Sequence, residues 1–353
     1  VEVEYFESFR SVPGSDWDSL VSNDSVFQEY RFLYGLEKCG CIGKSDWKPL
    51  VFLCRESGRV VGGLSCYIRF NSYGEFIFDF QWANAFQRAG ISYYPKISIA
   101  SPFTPVTGER ILFAKFLSVD QKREVARNLL GALIQHGKER KVSSLHSLFC
   151  LPEERESFSQ MNFAERVSHQ YHWKNRNFGS FEEFLDTLVK DRRKMIRQER
   201  KKVQMEGIKI KRLVGDAIEK PLATIFYNFY QSTTLKKWGQ AYLNFPFFQF
   251  IFENLKDRLL LVLAETESGE PLGGSLNFWK GQALYGRYWG AVEHIPFLHF
   301  ECCYYQLIDF AIEKGLDRVE AGAQGEHKFH RGYEAVPQYS MHYIYNDSGR
   351  SAI

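Results

Sequence analysis

A chain of 353 residues exceeds what one hydrophobic core comfortably serves, so two domains are expected. Hydrophobic residues at 44% and charged residues at 25% exclude a disordered chain, and a net charge of only +3 excludes a global field for nucleic acid, so any basic partner surface must be local. Seven cysteines, an odd number without a CxxC pair, argue against a disulfide framework and for a reducing compartment. In chain order the pattern predicts a strand over Val1–Phe6 and helical segments around Trp17–Leu20 and Phe27–Lys38. Strands at Pro49–Arg55 and Val60–Phe70 follow, joined by a Glu56-Ser57-Gly58 turn, then strands at Tyr73–Phe80 and Ile97–Ala100. Val125, Leu129, Ala132, Leu133 and His136 fall at helical spacing and predict a helix over Val119–Arg140. Strand Leu145–Cys150, a short helix near Glu153–Met161 and strand Glu165–Trp173 close the first half. No apolar run approaches about 18 residues, so no membrane-spanning helix is expected. The expected compartment is the cytoplasm, or an organelle stroma if a targeting peptide has been removed ahead of Val1.

An internal repeat supports two domains. Val51–Gly63 (VFLCRESGRVVGG) matches Leu261–Gly274 (LVLAETESGEPLGG), with Ser57-Gly58 over Ser268-Gly269 and Gly62-Gly63 over Gly273-Gly274. One residue out of register, Tyr73-Gly74 falls over Tyr285-Gly286, so a hairpin and a third strand recur, and the boundary is placed near Ser168–Gly179, giving domains 1–170 and 171–353.

The second half opens on a strongly basic helix. Ser180 and Glu183 form a capping-box pattern, and Gly207 ends the segment, so one helix over 181–206 is predicted. Lys190–Lys202 holds eight bases and two acids, too large an excess of one sign for simple i,i+4 pairing. A solvated basic face is the plain alternative to a phosphate-bearing partner held by Arg193, Arg197 and Lys201. A strand (Ile208–Leu213), helices over Leu222–Ser232 and Pro246–Asn254, and the strand pair of the repeat come next.

Residues 284–333 are the stretch where chemistry is expected. A strand (Leu284–Trp289) leads through Pro296 into a helix that stops at Gly315, the residue type that best takes the left-handed position after a helix. A short strand, Arg318–Ala321, empties into Gly322-Ala323-Gln324-Gly325-Glu326-His327-Lys328. This strand–helix–strand spacing predicts a crossover with parallel strands, and ligands gather beyond the carboxyl ends of such strands. Strand Gln338–Tyr345 ends the domain, and the residues from Asp347 are expected to fray.

Several of these stretches resemble the FemAB-like branch of the GNAT acyltransferase superfamily, more narrowly its peptidoglycan-biosynthesis-related N-acyltransferases. They are SYGEFIFDFQWANAFQRAGISYYPK (72–96), SPFTPVTGERIL (101–112), HWKNRNF (172–178), RRKMIRQERKKV (192–203), KKWGQAYL (236–243), GGSLNFWKGQALYGRYWG (273–290), PFLHFECCYYQ (296–306) and EAGAQGEHKFHRGY (320–333). The resemblance implies an α/β protein of two tandem GNAT-like domains with mixed central sheets. It implies transfer of an acyl or aminoacyl group, from acyl-CoA or aminoacyl-tRNA, to an amine of a peptide, amino acid or cell-wall precursor. In acetyl-CoA-using relatives a glycine-rich loop before the helix holds the pyrophosphate. Here Ala291-Val292-Glu293-His294-Ile295-Pro296 stands instead, and Glu293 would repel phosphate, which favours a tRNA-type donor or a phosphate site elsewhere, such as the basic helix.

Acyl transfer to an amine needs a base, an oxyanion donor and a proton for the leaving group. Glu326 or His327 is a candidate base, with Glu320 an alternative facing the cleft. Tyr333, Tyr304 and Tyr305 can donate to a leaving group, and Arg287 and Lys328 can meet a carboxylate or phosphate. Glu301, Trp238 and Trp289 are further candidates for the acceptor pocket. His327-x-x-His330 and His169-x-x-His172 have ligand-like spacing but lack a completing cysteine or carboxylate, so no metal and no tightly bound cofactor is expected. The competing class is a non-catalytic binder whose basic helix grips RNA or another polyanion.

Overall fold

The computed structural model describes every residue except Ser45, Gly239, Gln240, Ala323, Gln324 and Ile353, with the backbone alone for residues 235–238 and 351–352. The chain divides into two compact units, Val1–Ser168 with Pro337–Ile353, and His169–Val336. Among the described residues no helix is long and apolar enough to cross a membrane.

The first unit is built on strands β1 (Glu2–Phe6), β2 (Lys48–Glu56), β3 (Arg59–Arg69), β4 (Lys96–Ile99) and β6 (Ser144–Cys150), with β5 (Leu112–Phe113) pairing onto β3. Its sheet order is β1-β2-β3-β4-β6, followed by the Pro337–Ile344 part of β13 (Glu334–Ile344). Among the described pairings of this unit β4 and β6 alone are parallel, and the Val119–Glu139 helix lies in the crossover between them. Residues Pro49–Cys54 of β2 and nearly all of β3 are buried without alternation, because helices press on both faces of these strands. Gly62 makes that approach feasible: a Cβ there would lie 2.4 Å from Val125 of the long helix.

The second unit repeats this succession. Strands β8 (Lys209–Val214), β9 (Leu259–Glu265), β10 (Pro271–Lys280), β11 (Ala283–Ala291) and β12 (Arg318–Glu320) join the part of β7 (Ala164–Lys174) from His169 onward, in the order β7-β12-β11-β10-β9-β8. Again one pair, β11 with β12, is parallel and is linked by a helical crossover. The core beneath it gathers Trp173, Phe184, Ile196, Leu284, Leu307 and Val319. On the other side the Pro221–Trp238 helix comes so close to β11 that a Cβ at Gly290 would fall 1.8 Å from the Phe229 carbonyl oxygen. Gly290→Ala is therefore expected to lower the free energy of unfolding by about 2–3 kcal/mol, as overpacking does when backbone must move; an unchanged urea midpoint would refute this close approach.

The structure departs from the sequence-based expectations at four places. Strand β13 returns its last residues to the first unit, so Pro337–Ile353 do not stay with residues 171–336; alternating apolar residues predict a strand but not its partner. No strand forms over Tyr73–Phe80, because Gly74, Phe76 and Phe78 take positive φ of 78°, 61° and 55°. The single helix expected over 181–206 is two, Phe181–Asp186 and Lys190–Met205. Ser180 does cap the first through the Glu183 N–H, but Val189 is extended with ψ 150° and restarts the helix. Finally, Asp347–Ala352 forms a short helix, with Arg350 donating to the Ile344 carbonyl.

Candidate active site

Pairing between β11 and β12 stops at Tyr285 opposite Glu320, while β11 continues to Ala291. The two parallel strands thus part at their carboxyl ends. A bulge sits at this point: Leu276 of β10 faces Tyr288 and Asn277 faces Gly286, leaving Arg287 as the extra residue of β11. A bulge re-aims the side chain it carries. Arg287 donates to the Gly286 carbonyl (2.8 Å) and the Glu320 carbonyl (3.4 Å), and burial draws its pKa down against the pull of Glu320.

Strand register sets out what surrounds this arginine. Tyr285, Glu320 and His172 are cross-strand partners and share one face, while Leu284, Val319 and Trp173 turn to the core on the other. Glu320 accepts from Arg318 Nε (3.0 Å) through Oε1. Its Oε2 lies 3.9 Å from His172 Nε2, and neither atom has a hydrogen-bond partner. Burial lowers the His172 pKa, so this ring is neutral near pH 7.

Lys328 closes the opening from the loop side. It lies in a 3-10 segment, Glu326–Arg331, and its Nζ donates to the carbonyls of Ala321 (2.6 Å) and Gly322 (3.1 Å) at the end of β12. The residue is 4% exposed and forms no ion pair with a described carboxylate. Burial, helped by neighbouring Arg287, brings its pKa down to about 8. Among the described residues two of its three ammonium donors are taken, both by carbonyls.

The crossover helix supplies the third wall. It begins at Leu298–Phe300, widens into a π turn over Glu301–Tyr305, and continues as Gln306–Lys314 to Gly315, which has φ 62°. Such widened turns often mark functional sites. Here it sends consecutive tyrosines apart. Tyr304 pairs with His327 Nε2 (2.9 Å) and packs edge-on to Tyr333. Tyr305 instead donates to Glu199 of the basic helix. Burial raises the pKa of all three tyrosines, so each is a neutral phenol at pH 7.

Glu199 is the anchor of this whole segment. It also receives Arg331 Nη2 (2.6 Å), while Arg331 Nη1 holds the His327 carbonyl (2.8 Å) and its guanidinium stacks 3.5 Å over Phe300. Arg200 ties the same two helices through Glu301 (3.1 Å) and Asp309 (2.8 Å).

A model of the FemAB-like family, described as peptidoglycan biosynthesis/recognition, matches residues 8–353. The chain belongs to this family. Its fold is α/β with a mixed sheet in each unit, and membership in the family supports an acyltransferase-type enzyme. Solved structures with a similar fold include FemX (TM-score 0.60, 11% identity, 99% of each chain covered) and L-PGS from Bacillus licheniformis (0.55, 11%, 90% of this chain and 92% of that one). A conserved protein of unknown function from Bacteroides thetaiotaomicron is also similar (0.53, 10%, 97% and 100%). No curated protein matches the sequence.

Within this FemAB-like chain the candidates separate into groups. Arg287, Glu320 and Lys328 lie at the parted strands; Tyr304, His327 and Tyr333 form an adjoining set, joined to Lys328 by the Tyr333 N–H bond to its carbonyl (3.2 Å), and His327 is exposed. Glu326 is exposed and makes no hydrogen bond to another described residue. Tyr305 and Glu301 are buried in the links to the basic helix, and Trp289 packs on His299 (5.3 Å). The Trp238 side chain lies outside the described residues. Arg193 pairs with Asp186 (3.2 Å) and Arg197 with Glu182, and both line a surface hollow of about 580 Å³ together with Lys190, Lys194 and Lys201. Among the described residues no group of three or more His, Cys, Asp or Glu is arranged to hold a metal. Sequence reasoning missed Glu199 and Arg331. The signal for Glu199 was present, since Ile196, Glu199 and Val203 share one helical face and all three are buried.

Proposed function

We propose that the protein transfers an acyl or aminoacyl group to an amine at the parted ends of β11 and β12, in the second of two tandem GNAT-like domains. The observation that carries this is Lys328, a buried ammonium with a pKa of about 8 beside Arg287, which spends two of its three donors on the Ala321 and Gly322 carbonyls among the described residues. In this reading the amine nitrogen attacks the donor carbonyl carbon and the new C–N bond forms as the thioester C–S or ester C–O bond breaks. Lys328 and Arg287 stabilise the negative oxygen, His327 takes the ammonium proton, and Tyr304 or Tyr333 returns a proton to the leaving thiolate or ribose oxygen. Glu320, with His172, keeps a counter-charge behind Arg287.

The basic hollow supports a phosphate-bearing donor, acyl-CoA or aminoacyl-tRNA, held by Arg193, Arg197 and Lys201. The proposed acceptor is an amine on a peptide, amino acid or cell-wall precursor. The test is incubation of the purified protein with panels of acyl-CoA and aminoacyl-tRNA and mixed amine acceptors, with mass spectrometry of the products. New amide formation supports the reading, and its absence with both donor classes sinks it. Reversing charge at Arg193, Arg197 and Lys201 together is expected to raise the donor KM at least tenfold and leave kcat within about threefold, because such contacts bind ground and transition states alike. If kcat falls with KM unchanged, the hollow is not the donor site.

A further inference from the structure

A second hollow, of about 590 Å³, lies in the first unit. It is lined by Ser72, Tyr73, Phe80, Asn84, Gln87 and Tyr94 among others, and no charged side chain is among the residues that form it. Tyr73 is 64% exposed and Phe80 46% exposed, with ring centroids 6.1 Å apart. Exposed large aromatics gathered at a hollow of this size mark a binding surface rather than a folding requirement.

The segment that presents these rings is held in an unfavourable shape. Gly74, Phe76 and Phe78 all take left-handed backbone between Tyr73 and Phe80. For phenylalanine that conformation persists only where surrounding structure imposes it, and such strain clusters at ligand clamps. The imposing structure is a buried ionic network. Arg69 Nη2 donates to the Tyr73 carbonyl (2.8 Å) and to Asp46 (2.7 Å), and its Nη1 to Glu75 (2.8 Å). Lys96 donates to Ser72 (2.8 Å), Glu75 (2.7 Å) and Asp79, while Tyr93 donates to Asp79 (2.7 Å). Arg69, Lys96, Glu75 and Asp79 are each at most 2% exposed. The network fixes the rings, and none of its charged side chains lines the hollow, so the wall offered to a ligand is uncharged.

We infer that this hollow binds a neutral saccharide. A pyranose offers an apolar C–H face, which seats on an aromatic ring, and a rim of hydroxyls that both donate and accept. Amide and hydroxyl side chains are the groups that do the same, and Ser72, Asn84, Gln87 and Tyr94 ring the aromatic pair. A nucleotide would bring phosphates to a wall without cations, and a peptide terminus or acidic ligand would find no counter-charge.

The test is an array of neutral oligosaccharides built from glucose, galactose, mannose and N-acetylhexosamines, probed with the full chain and followed by calorimetry with the best trisaccharide. Binding is expected, with a loss of at least tenfold in affinity for both Tyr73→Ala and Asn84→Ala at unchanged melting temperature. Tyr73 and Asn84 are exposed side chains, so these variants are expected to fold. No binding across the array overturns the inference. So does binding that neither variant weakens, or uridine binding at this hollow in place of any saccharide. Because the readout is affinity in the first unit, it stands apart from whether the protein turns over an acyl donor.

Discussion

Lys328→Met is expected to lower kcat about 10²–10³-fold with little change in the acceptor KM, the effect of removing one oxyanion donor. The Nζ lies at the carbonyls of Ala321 and Gly322, and methionine follows the aliphatic stem to its last carbon while removing the charge and the donors. A pH profile separates this role from a structural one. Burial, with Arg287 adding to it, sets the Lys328 pKa at about 8 in the folded protein, below the usual lysine value of about 10.4. As an ammonium donor it fails as pH rises through about 8, so kcat falls there. Stability runs the other way. Between about 8 and 10.4 the unfolded chain binds the proton and the folded chain does not, so this group adds stability as pH rises. Activity lost above pH 8 in a protein that is no less stable is the expected signature. A kcat that climbs through pH 8 would make Lys328 the base and overturn its role as donor.

How much of this could be read in the chain follows from what periodicity encodes. The β2–β3 and β9–β10 hairpins were legible because Ser-Gly turns flank apolar strands, and the crossover helix because Gly315 ends it at φ 62°. The loop after β12 was legible as a polar, glycine-broken stretch beyond a strand end. Three things were not. Strand partners were hidden, since β7 and β13 carry ordinary patterns and the register that pairs β13 with β6 is set by tertiary contacts. The π turn was hidden, so Tyr304 and Tyr305 read as equivalent although one meets His327 and the other Glu199. Burial of charge was hidden as well: Glu75, Asp79, Lys96 and Arg331 read as surface residues by type alone. Each miss concerns a contact between residues distant in sequence.

Lys96→Met is expected to cost about 3–5 kcal/mol of stability, because it strips the cation from two buried carboxylates rather than removing a balanced set. Lys96 uses all three donors, on Ser72, Glu75 and Asp79, and Arg69 meets Glu75 but has no bond to Asp79. The pH dependence should reverse. In the native protein burial pushes the Asp79 carboxyl up, but Lys96 outweighs it and holds the pKa well below the usual carboxylate range. A depressed folded pKa gives stability that is complete above the unfolded value of about 3.9 and is lost as pH falls below it. Without Lys96, burial dominates and the folded pKa rises, so the variant loses stability as pH increases from about 4 toward neutrality. Adding Asp79→Asn removes the stranded charge and is expected to restore part of the loss. Urea unfolding of the three proteins between pH 4 and 7 reads all of this. Parallel stability–pH curves for native protein and Lys96→Met, or a loss below about 1 kcal/mol, would mean the network does not hold the Asn71–Phe80 segment in place.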